Sequence, residues 1–205
     1  MDRPLCEIPL FSQRSGSLDF LLTKQEYAIL SEIVIRPIET TADAEQLDDL
    51  QVDAWGYDDR RLTSWETLIV FGHTGSVLLG AFDEDRLVGH VFGIYGTQID
   101  SDDLVETPIT ADGMLMYSHQ LAVRPSYQQS GLGRKLKLAQ RDVVLSRGVP
   151  RIVWTFDPLV SRNAWLNLGR LGAVVRRFKT DYYGPGNHRC FAEWWIDSDR
   201  VHNRS

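Results

Sequence analysis

Leu121-Ala122-Val123-Arg124-Pro125-Ser126-Tyr127-Gln128-Gln129-Ser130-Gly131-Leu132-Gly133-Arg134 ends a strand, turns on glycines and starts a helix within fourteen residues. The strand reads from Met114 to Val123, and Arg124-Pro125 breaks it because proline cannot donate to a ladder. The turn supplies Gln128-x-x-Gly131-x-Gly133. A helix then starts at Gly131 or Leu132 and runs to about Arg147, with Leu132, Leu136, Ala139 and Val143 on one face. Gly148 and Pro150 stop it. The first N–H groups of a helix have no intrahelical acceptor, and the positive end of the dipole lies there, so the turn suits phosphate. Gly131 and Gly133 let such a group approach without a Cβ in the way. Arg134, Lys135 and Lys137 are expected to add charge beside this mouth, and Arg124 to do so from the other side.

On the N-terminal side, Ile33 to Ile38 reads as a strand ended near Pro37. Thr40 or Thr41 caps a helix reaching about Trp55, with Ala44, Leu47, Leu50 and Ala54 at helical spacing. Residues 57–74 read as a second helix or helical arm. Strands 77–82 and 87–95 flank the turn Asp83-Glu84-Asp85-Arg86 as a hairpin. Residues 98–112 form a loop with five acids and no Lys or Arg. On the C-terminal side follow a buried strand, 151–156, a helix, 161–171, a strand at 173–175 and a last strand, 189–196. Strand–helix–strand alternation in this half implies parallel neighbours, and the hairpin antiparallel ones. The expectation is an α/β mixed sheet with helices on its faces. Residues 1–31 form an N-terminal extension, in which Leu18, Leu21, Leu22, Ile29 and Leu30 would line a helix docked on a body spanning 32–205.

Composition limits the partners. The 205 residues carry 22 Lys or Arg and 28 Asp or Glu, a formal net charge of −6. Residues 121–180 hold 12 of those basic side chains against only Asp142 and Asp157, so the acidic excess lies entirely in the rest. Such a chain can hold a polyanion at one site, but its acidic remainder would repel a nucleic-acid backbone. No apolar run reaches the roughly 20 residues that span a bilayer. The N-terminus, broken by Asp2, Pro4, Glu7 and Pro9, does not read as a signal peptide. Cys6 and Cys190 suggest neither a disulfide framework nor zinc, and the histidines have no metal-ligand spacing. A soluble cytoplasmic protein without metal, nucleic acid or membrane partners is expected.

Two other phosphate loops fail on spacing. A Walker loop needs Gly-x-x-x-x-Gly-Lys-Ser/Thr, which is absent. The dinucleotide fingerprint needs a third glycine and an acid about 20 residues on, whereas Asp157 comes too late. The segment instead resembles the acyl-coenzyme A-binding motif of the GNAT N-acyltransferase superfamily, Gln/Arg-x-x-Gly-x-Gly/Ala between the fourth strand and the next helix. Leu-Ala-Val-x-Pro-x-Tyr is similar too, and the element order matches over about residues 33–196. Asp157 to Ala164 with Leu171 to Arg177 resembles a poorly characterised subgroup, some of whose members are associated with N-acylamino-acid racemases.

This resemblance implies a mostly antiparallel sheet splayed between strands 4 and 5. Backbone N–H groups of Gln129, Ser130, Gly131, Leu132, Gly133 and Arg134, in the turn that Gln128 opens, would cradle the pyrophosphate. Leu121, Ala122 and Val123 would pair with the pantetheine arm. It implies acetyl-CoA or another acyl-CoA as co-substrate, a small amine or amino acid as acceptor, direct attack on the thioester, and often a homodimer. A non-catalytic acyl-CoA-binding domain is the alternative, and a nucleotide-binding regulator a weaker third.

The chemistry needs a base for the ammonium, a donor for the thioester oxygen and an acid for the thiolate. His119, two residues before Leu121, has an ordinary pKa near 6.5 that suits the base. A core or surface histidine held by a carbonyl is the plainer reading. Ser118 points to the opposite face unless the strand carries a bulge. Asp157 is weighed evenly between holding the ammonium and starting a turn. Asn163 and Asn167 share a helix face in a region that commonly borders the cofactor arm, or serve as a cap and a buried contact. The superfamily's usual acid, a tyrosine four residues before the glycine of the helix-to-strand turn, is replaced by Leu168. Tyr182 or Tyr183 would substitute, with Tyr117 a further option, or the thiolate takes its proton from solvent; singly each tyrosine is more often structural.

Overall fold

The computed structural model describes residues 33–56, 61–97 and 113–203. The N-terminal extension, 1–31, and the whole acidic loop, 98–112, lie outside the described residues. In chain order the elements are β1 (Val34–Pro37), α1 (Thr41–Trp55), α2 (Trp65–His73), β2 (Val77–Asp83), β3 (Arg86–Thr97), β4 (Met114–Val123), a 3₁₀ turn (Pro125–Tyr127), α3 (Leu132–Ser146), β5 (Arg151–Phe156), α4 (Ser161–Ala164) continuing as a π-helical stretch (Trp165–Arg170), β6 (Val174–Lys179), β7 (Arg189–Trp195) and α5 (Asp199–His202). Thr40 is the cap of α1, its hydroxyl accepting from Asp43 N at 3.1 Å.

Hydrogen bonds order the sheet β1-β2-β3-β4-β5-β7-β6. Every pairing is antiparallel except β4 with β5. The mixed, mostly antiparallel sheet is therefore as expected. One inference from alternation needs correcting: β5 and β6 are not neighbours. β7 pairs antiparallel with both and lies between them. The chain returns from β6 through residues 180–188, and two strands joined by so short a connection pair most readily with each other.

Each face of the sheet has its own core. Val77, Leu79, Val91, Met116, Ile152, Trp154 and Trp194 pack against Leu132, Leu136 and Val144 of α3. On the opposite face Leu78, Phe82, Leu87, Phe92 and Ala122 pack against Leu47 and Leu50 of α1 and Leu68 of α2. The side chain of β4 that reaches α3 does so by alternation, so period-two patterning decides which residues meet which helix.

The feature that positions the site is an interruption of that alternation. Phe92 pairs with Gln120 and Gly93 with Ser118, leaving His119 opposite no residue in a β-bulge. Gly93 has no room for a side chain: an added Cβ would lie 2.6 Å from Met116 Sδ, 2.8 Å from Gln140 Nε2 and 3.1 Å from Tyr117 O. Methionine can swing away, but the carbonyl is part of the bulged strand. Gly93→Ala should therefore cost about 1–3 kcal/mol in urea denaturation; an unchanged midpoint would mean that the bulge is soft.

Candidate active site

Beyond the last strand residue, Val123, the chain is tied down on several sides. Gln128 Nε2 donates to Val123 O at 3.0 Å, and its Oε1 accepts from Arg162 Nη1 at 3.2 Å. Ser130 Oγ donates to Tyr127 O at 2.6 Å, and the Tyr127 hydroxyl donates to Asp83 at the tip of the β2–β3 hairpin. Within this frame Gln129 at φ 63° and Gly131 at φ 86° are left-handed, a conformation costly for a non-glycine residue and concentrated at functional turns. Gly131 is the N-cap of α3 and has no side chain to cap it. The first intrahelical bond runs from Lys135 N to Gly131 O, so the N–H groups of Leu132 and Gly133 precede the helix's own ladder. An added Cβ at Gly131 would meet nothing within 4 Å. The space above the turn is open.

Three guanidiniums gather here. Burial, then repulsion from Arg170 and Arg141, lowers the pKa of Arg134. Arg170 was not among the sequence candidates, because its place depends on how the π-helical stretch meets α3. Two sequence assignments are corrected. Arg124 turns away from the turn: its Nε donates to Leu87 O at 2.8 Å and its Nη1 pairs with Asp53 on α1. Lys137 does not stand beside the mouth either. It is 2% exposed and faces the sheet.

The parallel β4–β5 pairing is confined to Met116 with Ile152 and Tyr117 with Val153. β4 continues to Val123 and β5 to Phe156, so the strands part after two pairs. Leu121, Ala122 and Val123 pair with β3 on their other side, at Val91, His90 and Gly89. Toward β5 their edge has no strand partner.

The bulge gives the site its side chains. Ser118 reaches Gln140 of α3. His119 and Gln120, though consecutive, both lie on the α1/α2 side. Gln120 Nε2 donates to Gln51 Oε1 at 3.2 Å and to Thr63 Oγ1 at 3.1 Å. That fixes its Oε1 as the acceptor from His90 Nε2 at 3.1 Å. His119 is exposed at one edge and packs edge-on against Phe92, ring centroids 6.0 Å apart, and beside Tyr117 at 6.1 Å. Partial burial lowers its pKa from 6.5, so it is neutral, and able to accept a proton, at pH 7.

Tyr117 brings the predicted tyrosines to the same place. Its hydroxyl interacts with Thr155 and Tyr183, and burial, with the Tyr183 phenol second, pushes its pKa up to about 12. Tyr182 packs 4.6 Å from Tyr183 and 5.1 Å from Phe191, ring to ring. Tyr117, Tyr182 and Phe191 line a cavity of about 560 Å³ that opens on the face of β5–β7 away from α3. His119, Tyr117, Tyr182 and Tyr183 therefore form one neighbourhood. Asp157 is engaged in its turn: Oδ1 accepts from Leu159 N at 2.8 Å and Oδ2 lies 3.7 Å from Arg189. Asn167 is buried and Asn163 half-buried, on a helix that changes from α to π between them. Among the described residues no three His, Cys, Asp or Glu side chains are grouped to hold a metal, and no helix is long and apolar enough to cross a membrane.

The family model described as the acetyltransferase (GNAT) family matches residues 44–169. No curated protein matches the sequence. Solved structures share the fold. The ribosomal-protein-S18-alanine N-acetyltransferase from Escherichia coli superposes with a TM-score of 0.62 at 16% identity, over 81% of this chain and 95% of that one. An aminoglycoside 6′-acetyltransferase type Ii gives 0.63 at 20% identity over 80% and 98%. The PaiA N-acetyltransferase from Thermoplasma acidophilum in complex with coenzyme A gives 0.57 at 19% over 80% and 98%.

His90 supplies a test of the site's supporting layer. It is fully buried, and burial lowers its pKa to about 4 despite the Gln120 bond. The unfolded chain, with an ordinary histidine near 6.5, binds the proton first on acidification. Stability should thus be complete above pH 6.5 and fall progressively towards pH 4. Thermal melts across that window should show the decline, and His90→Gln should flatten it; equal slopes in the two proteins would contradict the burial of a neutral imidazole.

Proposed function

The chain belongs to the GNAT acetyltransferase family, and from that premise we propose that it is an N-acyltransferase moving an acetyl or other short acyl group from coenzyme A to a primary amine. The observation that carries this reading is the uncapped N-terminus of α3 behind the Gln129–Gly131 turn, set where β4 leaves β5. The N–H groups of Gln129 to Arg134 hold the pyrophosphate, with Arg134 and Arg170 supplying charge. The edge of Leu121–Val123 that has no strand partner pairs with the pantetheine amides as a further strand would. Asn163 and Asn167 border that arm.

The amine attacks the thioester carbonyl directly, in a ternary complex. Neutral His119 takes the proton from the acceptor's ammonium, and Tyr117, Tyr182 and Tyr183 shape the wall on which the acceptor lies. Asp157 contributes by holding the β5 turn and Arg189. Two of the structural neighbours named above are a ribosomal-protein-S18-alanine N-acetyltransferase and an aminoglycoside 6′-acetyltransferase. The acceptor here is an amine, a small molecule or amino acid suited to the 560 Å³ cavity.

Gly131→Asp puts a carboxylate, and a residue unsuited to φ 86°, beside the pyrophosphate. It should abolish coenzyme A binding by calorimetry while leaving the circular dichroism spectrum unchanged. Undiminished affinity in a folded variant would remove the central argument. Tight binding with no thiol release on any of a panel of amines would leave a binding module instead. With an amine that turns over, His119→Ala should lower kcat about 100-fold with little change in coenzyme A affinity. It should also remove the loss of rate seen in the wild type as pH falls below 6.5. An identical pH–rate profile would rule His119 out as the base.

A further inference from the structure

The cavity of about 560 Å³ runs from β3 and β4 across the sheet to its edge strand, β6. Residues paired in register share a face of a sheet. Tyr117 pairs with Val153, Val153 with Glu193, Phe191 with Arg177, and Arg189 with Lys179. Simple alternation would send Arg176 to the other face. Instead β6 carries a bulge between Val175 and Arg177, and the two consecutive arginines both line the cavity, as a bulge permits. With Lys179 two residues on, β6 brings three cations to one wall.

Folding alone does not call for that wall. Among the described residues that line the cavity Glu193 is the one carboxylate. Both its oxygens are engaged: Oε1 accepts from Arg151 Nη1 at 3.1 Å and Oε2 from Arg176. The Cζ of Arg177 lies 5.6 Å from the centre of the Phe191 ring, a contact that orients a guanidinium without neutralising it. Lys179 stands directly opposite Arg189 in the ladder, where like charges cost stability. At the other end of the cavity Tyr117 lies beside His119, 6.1 Å between ring centroids. The cavity therefore joins the candidate base on β4 to an excess of positive charge on β6. Three strand spacings of roughly 4.8 Å each separate the two backbones, and the long arginine and lysine side chains shorten that span.

Resting on the acyltransferase reading above, we propose that the acceptor carries an anionic group, a carboxylate or phosphate, besides its amine, and that Arg177 and Lys179 receive it at the β6 end while the amine faces His119. Guanidinium and ammonium donors hold such oxygens by charge-assisted hydrogen bonds. The same wall rejects. A polyamine or an aminoglycoside would set its further cations against Arg176, Arg177 and Lys179, with Glu193 already engaged, and facing like charges discriminate against a ligand. The substrate class is an amine that bears an anionic group, amino acids among them, and the apolar stretch of Ile94, Leu115, Val153 and Ala192 takes its body. Five acids between 98 and 112 follow Thr97 in the sequence; a polycation drawn by them is the opposite outcome, which the experiment separates.

Thiol release from acetyl-CoA by the full chain decides it. Leucine, phenylalanine, methionine and serine are each set against the amine left when the carboxylate is removed. O-phosphoethanolamine is set against ethanolamine, and spermidine stands for the polycations. The wild type should prefer the anion-bearing member by about tenfold or more in kcat/KM, and whether the carboxylate or the phosphate pairs show it tells which group is bound. Arg177→Gln and Lys179→Gln should each cut that ratio several-fold, through KM of the anion-bearing amine, and Arg177→Lys should retain most of it. Plain amines or spermidine used as well as the anion-bearing amines, or a ratio unmoved in both folded variants, overturns the proposal and leaves the acyltransferase reading standing. If no amine of any class releases thiol, that reading fails and this one with it. Should both variants misfold, the wild-type preference alone decides.

Discussion

A β-sheet that opens in its middle leaves backbone donors and acceptors facing a gap, and everything around β4 follows from that constraint. β4 and β5 share only two register pairs before they separate. Unpaired strand edges leave those groups to water or to a strand-like partner. The opening persists because each strand is held from its outer side. β4 pairs with β3 from Met114 to Val123, and β5 with β7 over all six of its residues. Trp154 and Trp194, edge to face at 6.0 Å, weld β5 and β7 to the α3 layer. Neither strand can close the gap without breaking a complete ladder behind it.

The bulge at His119 is clamped from both faces by polar groups that are costly to bury. Below it Ser118, Gln140 and Lys137 hydrogen-bond one another. Above it Gln120 joins His90, Gln51 and Thr63, and so fastens the α1–α2 connection to the sheet. Such networks rigidify when satisfied and are penalised when not. His90 Nδ1 and Gln140 Nε2 are buried without a partner among the described residues. An apolar layer would pack as well, so the arrangement is better understood as positioning: it ties down Ser118 and Gln120 on either side of His119.

How much of this was legible beforehand depends on the range of the interactions involved. β4, β5 and the start of α3 were read within a residue, because proline, glycine and apolar periodicity act locally. The strand limits at 114–123 and 151–156 and the cap at Thr40 are of this kind. The bulge was left open, since nothing in Tyr117-Ser118-His119-Gln120 says which residue is unpaired. Lys137 was misplaced for a physical reason. A lysine in the first turns of a basic helix is normally solvated, yet its position one residue after the buried Leu136 puts it on the inward edge. Arg124 was misread because its partner, Asp53, is 71 residues away. The order β5-β7-β6 turns on a choice between two pairings that local patterning does not rank.

The concentration of basic residues between 121 and 180 looked like one electrostatic feature, and the structure divides it by task. Arg170 and Arg141 lie close enough to Arg134, at the start of α3, to repel its charge, a repulsion that an anion would relieve. Arg124 is spent on Asp53 and Leu87. Arg151 and Arg176 both bond Glu193 on β7, and Arg177 lies over Phe191, so three more cations tie the β5-β7-β6 half of the sheet together on the face that has no helix. Lys137 is buried. A polyanion-binding surface would need these charges coplanar and solvated. They instead lie on different elements and on both sides of the sheet, several of them already bonded to protein groups. For the coenzyme A site proposed here, only the cations beside the turn bear on the phosphates.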